Sequence, residues 1–170
     1  MKILWLTNIS LPEASLLMND KPSPFGGWLI TASKDLSEHD EIGLHIAFPF
    51  KGISGFKQME GGRINYYAFS PIDTSQANAL NQDNLDRIIK IVKPDLVHIF
   101  GTEYAHSLVM VNLCEEMGIP TVVSIQGLTS IYAKHYMANL PIRIQKRFTI
   151  RDLIKNDNLI QQKRKFTKRG

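Results

Sequence analysis

The run Lys2-Ile3-Leu4-Trp5-Leu6-Thr7-Asn8 is apolar almost without a break. A strand with one wet face alternates apolar and polar residues. A strand covered on both faces, as in parallel sheets, does not. Four further runs read as strands: Ile42–Phe48, Arg63–Phe69, Asp95–Phe100 and Thr121–Gln126. Helical spacing fills the gaps between them. Gly26-Gly27 opens a helix with Trp28, Ala32 and Leu36 at i, i+4 and i+8, and Leu29 beside them. Leu85, Ile88, Ile89 and Val92 sit at i, i+3, i+4 and i+7, and Pro94 closes that helix. Thr102 is the expected N-cap of a helix through Met117 that carries Leu108, Val111 and Cys114, with Gly118 at its C′ position and Pro120 beyond. The stretch Asn8–Gly27 reads as a loop punctuated by Pro12, Pro22 and Pro24. Lys51–Gly62 reads as a Gly-rich loop with room for a short hairpin turning at Gly61-Gly62. Beyond Gln126 the pattern turns helical or irregular. Strands alternating with helices predict an α/β fold: a Rossmann-like parallel sheet with helices on both faces and right-handed crossovers.

Composition narrows the function classes. At 170 residues, 44% hydrophobic and 21% charged, the chain is sized and composed for one globular domain, not for a disordered segment or a coiled coil. A single cysteine, Cys114, excludes an internal disulfide and a Cys-based zinc site. No apolar run approaches the ~18 residues of a membrane span, and the first apolar run is too short for a signal peptide, so a cytoplasmic location is expected. The net charge of +4 is unevenly spread. Residues 1–142 hold 10 Lys/Arg against 14 Asp/Glu, a net of −4; residues 143–170 hold 10 against 2, a net of +8. A mildly acidic body is not a nucleic-acid-binding domain by charge.

Ligands of open parallel sheets bind at the carboxyl ends of the strands, so the loops there carry the candidate site. Gly26 and Gly27 precede a helix, where free backbone N–H groups and the helix dipole favour an anion; a tight turn without a ligand is the alternative. The dinucleotide fingerprint G-x-G-x-x-G is absent, which argues against a nicotinamide or flavin cofactor, and none is expected. Gly101 breaks the fourth strand. Glu103 follows it, either as a base or acceptor for a hydroxylated ligand or as a first-turn acid facing the helix dipole. His98 and His106 have no metal-ligand spacing, and no metal is expected. Gln126 and Gly127 end the fifth strand; Gln126 has the donors and acceptor to orient a sugar hydroxyl or phosphate, or to cap the loop, but it cannot be a general base. Lys134 either pairs with a phosphate or belongs to a solvated helix face. The basic residues of 143–170, interleaved with Ile144, Phe148, Ile150, Ile154, Leu159 and Ile160, suit an amphipathic helix on an anionic membrane, or a helical pair docked by its apolar side.

Four strings in order carry a resemblance: Lys2–Asn8, Ser23-Pro24-Phe25-Gly26-Gly27-Trp28, Lys93–Glu103 and Val123-Ser124-Ile125-Gln126-Gly127. Over residues 1 to about 140 the chain resembles the N-terminal domain of the family 4 glycosyltransferases, retaining enzymes of the GT-B fold. The resemblance implies a domain boundary near residue 142, followed by a basic helical segment over 143–170. It also implies a missing C-terminal domain with a basic pair and an E-x7-E pair of glutamates that holds a nucleotide-sugar. It implies the acceptor-side half of an enzyme that moves a sugar from a nucleotide-diphospho-sugar donor to an acceptor hydroxyl. Glu103 and Gln126 would be the catalytic candidates, and Gly26, Gly27, Gly101, Gly127 and Lys134 would bind substrate or phosphate. Gln126 stands where the family commonly has a histidine. Half of a sugar-nucleotide epimerase, or a stand-alone Rossmann-like binding module with a basic surface-binding tail, are the competing expectations. The tail would place the protein at the inner face of the membrane.

Overall fold

The computed structural model describes residues 1–72, 79–125, 127, 129–155 and 158–169. The chain divides into two compact units, Met1–Ser124 and Ile125–Gly170. The first holds a six-stranded sheet in the order β3-β4-β2-β1-β5-β6. Its elements are β1 (Lys2–Leu6), α1 (Pro12–Leu17), α2 (Gly27–Ser37), β2 (Gly43–Pro49), β3 (Phe56–Glu60), β4 (Ile64–Phe69), α3 (Ala79–Val92), β5 (Leu96–Phe100), α4 (Ala105–Met117) and β6 (Thr121–Ser124). Every neighbouring pair is parallel except β3 with β4, an antiparallel edge hairpin. Its turn lies at Gly61-Gly62, where Gly61 N–H donates to the Ile64 carbonyl at 3.0 Å.

Both faces of β1 are covered. Leu4 and Leu6 join a core with Leu85, Ile88, Ile89 and Val92 of α3 and with Met110, Leu113 and Cys114 of α4. Ile3 and Trp5 point the other way, into a core with Leu11, Ala14 and Leu29 from the α1–α2 side. This two-sided burial explains why β1 does not alternate. The four-residue stripe of α3 is buried as its spacing predicts, each side chain stabilising by roughly 1.5–3 kcal/mol.

The Lys-Pro-Asp string lies at the amino-terminal ends of β1 and β5. Lys93 adopts a left-handed φ of 50° and ends α3, with its N–H donating to the Ile89 carbonyl at 2.7 Å. Lys2 N–H donates to Asp95 Oδ2 at 2.7 Å, Asp95 N–H donates to the Lys2 carbonyl at 2.9 Å, and Lys2 Nζ reaches the Val92 carbonyl at 3.3 Å. The motif sets the register of β5 against β1, Ile3 opposite Leu96.

Three local expectations are corrected. The first loop contains helix α1, with proline at its start and Glu13 in its first turn. A missing N–H costs nothing at that position. Of the face expected for α2, Leu29 is buried and Ala32 and Leu36 pack half-buried against the same core, but Trp28 is 51% exposed and Ser33 and Ser37 are buried beside them. Serine is small enough to bring the helix close to the sheet. Its hydroxyl stays satisfied within the helix, Ser33 Oγ on the Ile30 carbonyl at 3.0 Å and Ser37 Oγ on the Lys34 carbonyl at 2.9 Å. Helix α4 starts at Ala105 after an extended Tyr104, so Thr102 is not its N-cap and Glu103 lies outside its first turn. Gly118 does end α4 in the left-handed conformation.

The second unit is helical: α5 (Thr129–His135), α6 (Ile142–Gln145), α7 (Ile150–Lys155) and α8 (Leu159–Arg169). Helices α5 and α8 pack on each other, and just beyond α5 the Tyr136 hydroxyl donates to Gln162 Oε1. No helix among the described residues is long and apolar enough to cross a membrane.

Truncating Ile88 to alanine should cost about 2–5 kcal/mol in urea unfolding, because it empties the α3 core. Leu108 lies on the solvent face of α4, so Leu108→Ala should stay within about 0.5 kcal/mol of wild type.

Candidate functional site

In this strand order β1 is the switch point. The chain leaves β1 through α1 and α2 on one face and leaves its neighbour β5 through α4 on the other. The two loops part at the carboxyl ends of β1 and β5, the place where open α/β sheets bind their ligands.

Asn8 ties the end of β1 to the end of β5 and to the start of α4. Its Nδ2 donates to the Phe100 carbonyl at 2.9 Å, which turns its Oδ1 toward His106 Nε2, also at 2.9 Å. His106 therefore carries a proton on Nε2. It is 3% exposed, stacked on Tyr104 and edge-on to Phe69. Burial pushes its pKa down to about 4, so the ring is neutral at pH 7. With its Nε2 proton committed to Asn8, His106 is a rivet between β1 and the start of α4. The next residue, Ser107, buries its hydroxyl with no hydrogen-bond partner among the described residues.

Gly101 turns the chain out of β5 with φ 90°, and its N–H donates to the Ser124 carbonyl at 2.8 Å. Glu103 is half-buried in the short loop that follows and is itself engaged by a neighbouring group. On the α2 side Gly26 is the N-cap of the helix, with φ 84°. A Cβ there would overlap Ile9 Cδ1 in a conformation that L residues resist. Among the described residues, none comes within 4 Å of a Cβ built at Gly27, and no side chain caps this helix start. Trp28 joins the two sides: its ring lies 5.3 Å from that of Phe100, which also meets Trp5 and His98. The structure thus brings Gly26, Gly27 and Gly101 to one rim.

An open cleft of about 410 Å³ lies at the ends of β1 and β2, lined by Asn8, Ser10, Ser23, Lys21 and Lys51 among others. Another, of about 300 Å³, lies over β4 between α1 and α2. There Glu13 Oε1 accepts from Gly62 N–H at 2.8 Å and Oε2 from the Tyr66 hydroxyl at 2.7 Å. Burial and this carboxylate hold the Tyr66 phenol far above its usual pKa.

Of the remaining expected residues, Gln126 lies outside the described ones. Gly127 and Lys134 belong to the second unit, Lys134 exposed in the last turn of α5. Strand β6 ends at Ser124, short of both Gln126 and Gly127. His98 shares a hydrogen bond with Ser124 Oγ at 2.8 Å, and burial lowers its pKa. Among the described residues no group of three His, Cys, Asp or Glu is placed to hold a metal ion. Comparison with known proteins returns no match: no family model, no curated protein and no solved structure.

The pairing of Asn8 with His106 is not legible in the sequence, because the two are 98 residues apart and no local pattern couples them. The burial of His106 makes stability pH-dependent. The folded pKa of His106 is depressed below the unfolded 6.5, so its contribution is complete above pH 6.5 and is lost as pH falls toward 4. We expect about 3 kcal/mol less unfolding free energy at pH 4 than at pH 7 from this group, and a shallower pH profile in His106→Gln. Urea melts across that range measure both.

Proposed function

We propose that this chain is the acceptor-side domain of a glycosyltransferase of GT-B architecture, moving a glycosyl unit from a nucleotide-diphospho-sugar to an acceptor hydroxyl. One observation carries the reading. The start of α2 at Gly27, uncapped among the described residues, stands beside the end of β5 at the switch point, with Trp28 resting on Phe100. Backbone amides at a helix start suit phosphate or hydroxyl oxygens. Glu103, in the loop beyond Gly101, offers a carboxylate to sugar hydroxyls. The cleft at the ends of β1 and β2 gives an acceptor room to lie. The four motif strings support the same reading.

The chemistry also needs a second wall. Departure of a nucleoside diphosphate requires positioned donors or cations around its charges, and the reacting sugar must be shielded from water. Residues 1–142 carry a net charge of −4, so a single rim of amides holds a donor weakly. The opposing wall belongs to the C-terminal domain that the resemblance implies, and it is part of the proposal.

Uridine and guanosine diphospho-sugars should bind this chain with a dissociation constant of ~1 mM or weaker, about −4 kcal/mol, and without turnover. In a proton–nitrogen NMR titration the shifted amides should be those of residues 26–28 and 101–104. Gly27→Asp puts a negative charge at the helix start; it should erase these shifts and leave the melting temperature unchanged. Shifts mapping elsewhere, micromolar affinity or measurable turnover would refute the half-enzyme reading.

A further inference from the structure

The second unit carries a surface that the proposed sugar transfer does not use. In the ten residues Ile142–Arg151 four large apolar side chains alternate with four cations, and there is no acid. Ile142, Ile144, Phe148 and Ile150 are all exposed, Ile150 by 80%. Arg143, Lys146, Arg147 and Arg151 are exposed among them. A folded surface rarely leaves this much aliphatic and aromatic area in water without a use. The nearest acid, Asp152, is half-buried and turned to its own backbone: Thr149 N–H donates to its Oδ2 at 2.9 Å, and its own N–H donates to Thr149 Oγ1 at 3.3 Å. That reciprocal cap starts α7 and fixes the chain between Phe148 and Ile150. Lys163 and Arg164 of α8 add exposed positive charge in the same unit.

We propose that Ile142–Arg151 is an interfacial membrane-docking segment that lies on an anionic lipid bilayer. Charge complementarity selects this occupant. A second copy would set the same cations against one another. A nucleic acid would satisfy the cations but leave Ile142, Phe148 and Ile150 in water. An anionic bilayer meets both needs, its headgroups facing the guanidinium and ammonium groups and its acyl boundary taking the apolar side chains. With no helix among the described residues fit to span, the segment lies on the bilayer surface and does not cross it. This inference does not rest on the sugar-transfer reading, and its test involves no sugar.

The 170-residue chain should sediment with vesicles of phosphatidylcholine mixed with phosphatidylglycerol, and far less with phosphatidylcholine alone. Each cation near such a surface changes partitioning about fivefold, so Arg143→Ala/Lys146→Ala/Arg147→Ala should weaken binding about 100-fold at low salt. Phe148→Ser/Ile150→Ser should weaken it at least tenfold with the charge intact. Phe148→Trp keeps the apolar bulk, and its emission, after subtraction of the wild-type spectrum, should shift to the blue and be quenched by brominated lipid. Circular dichroism melts of each variant should match wild type. Absence of vesicle binding would overturn the proposal. So would binding indifferent to Phe148 and Ile150, equal affinity for single-stranded RNA, or a dimer in solution that the Phe148/Ile150 variant dissolves.

Discussion

The first unit depends on β1 being paired on both edges and covered on both faces. Its edges meet β2 and β5, its faces meet two separate cores, and its amino-terminal end is tied down by the Asp95 carboxylate. A slip of one residue would exchange the two faces and strand four large side chains on the wrong sides. The Lys2–Asp95 pair excludes that slip at one end, and Asn8 excludes it at the other by reaching the Phe100 carbonyl. The candidate rim is built on the second of these locks, so its geometry is inherited from the register of the sheet.

The architecture was legible because its signals are local. Leu85, Ile88, Ile89 and Val92 fall on one helical stripe, and Gly118 sits where a helix must end in a left-handed turn. The positions of the parallel strands follow from apolar runs bounded by Pro and Gly. What was misread turned on size and distance. Trp28 is the largest apolar residue in α2, yet it stays half out of the core on the Phe100 ring while Leu29, Ser33 and Ser37 are buried. The polar core of the rim was invisible for a different reason. Asn8 and His106 meet only after the β1–β5 pairing has formed, so nothing in their neighbourhoods announces it.

The two edges of the sheet are treated differently. β3 offers Lys57 and Glu60 on a short antiparallel strand, a common protection against unwanted pairing. β6 is four residues, Thr-Val-Val-Ser, with Val122 and Val123 exposed and no charge. The Lys93-Pro94-Asp95 string is occupied in holding β5 against β1 at the amino-terminal end of the strands.

The topology has a consequence for how the chain is made. β1 acquires its first neighbour once Gly43–Ala47 has been synthesised, but its second neighbour begins at Leu96, 93 residues after Ile3. At about 5–20 residues per second, ribosomal synthesis of that interval takes roughly 5–20 s. Throughout it the edge of the most apolar strand in the protein stands open, and neither the Asp95 lock nor the His106 rivet yet exists. The polypeptide emerges as a half-sheet whose unsatisfied edge is its own amino-terminal strand, and the arrival of β5 both closes that edge and brings the loop at Gly101 to the end of β1.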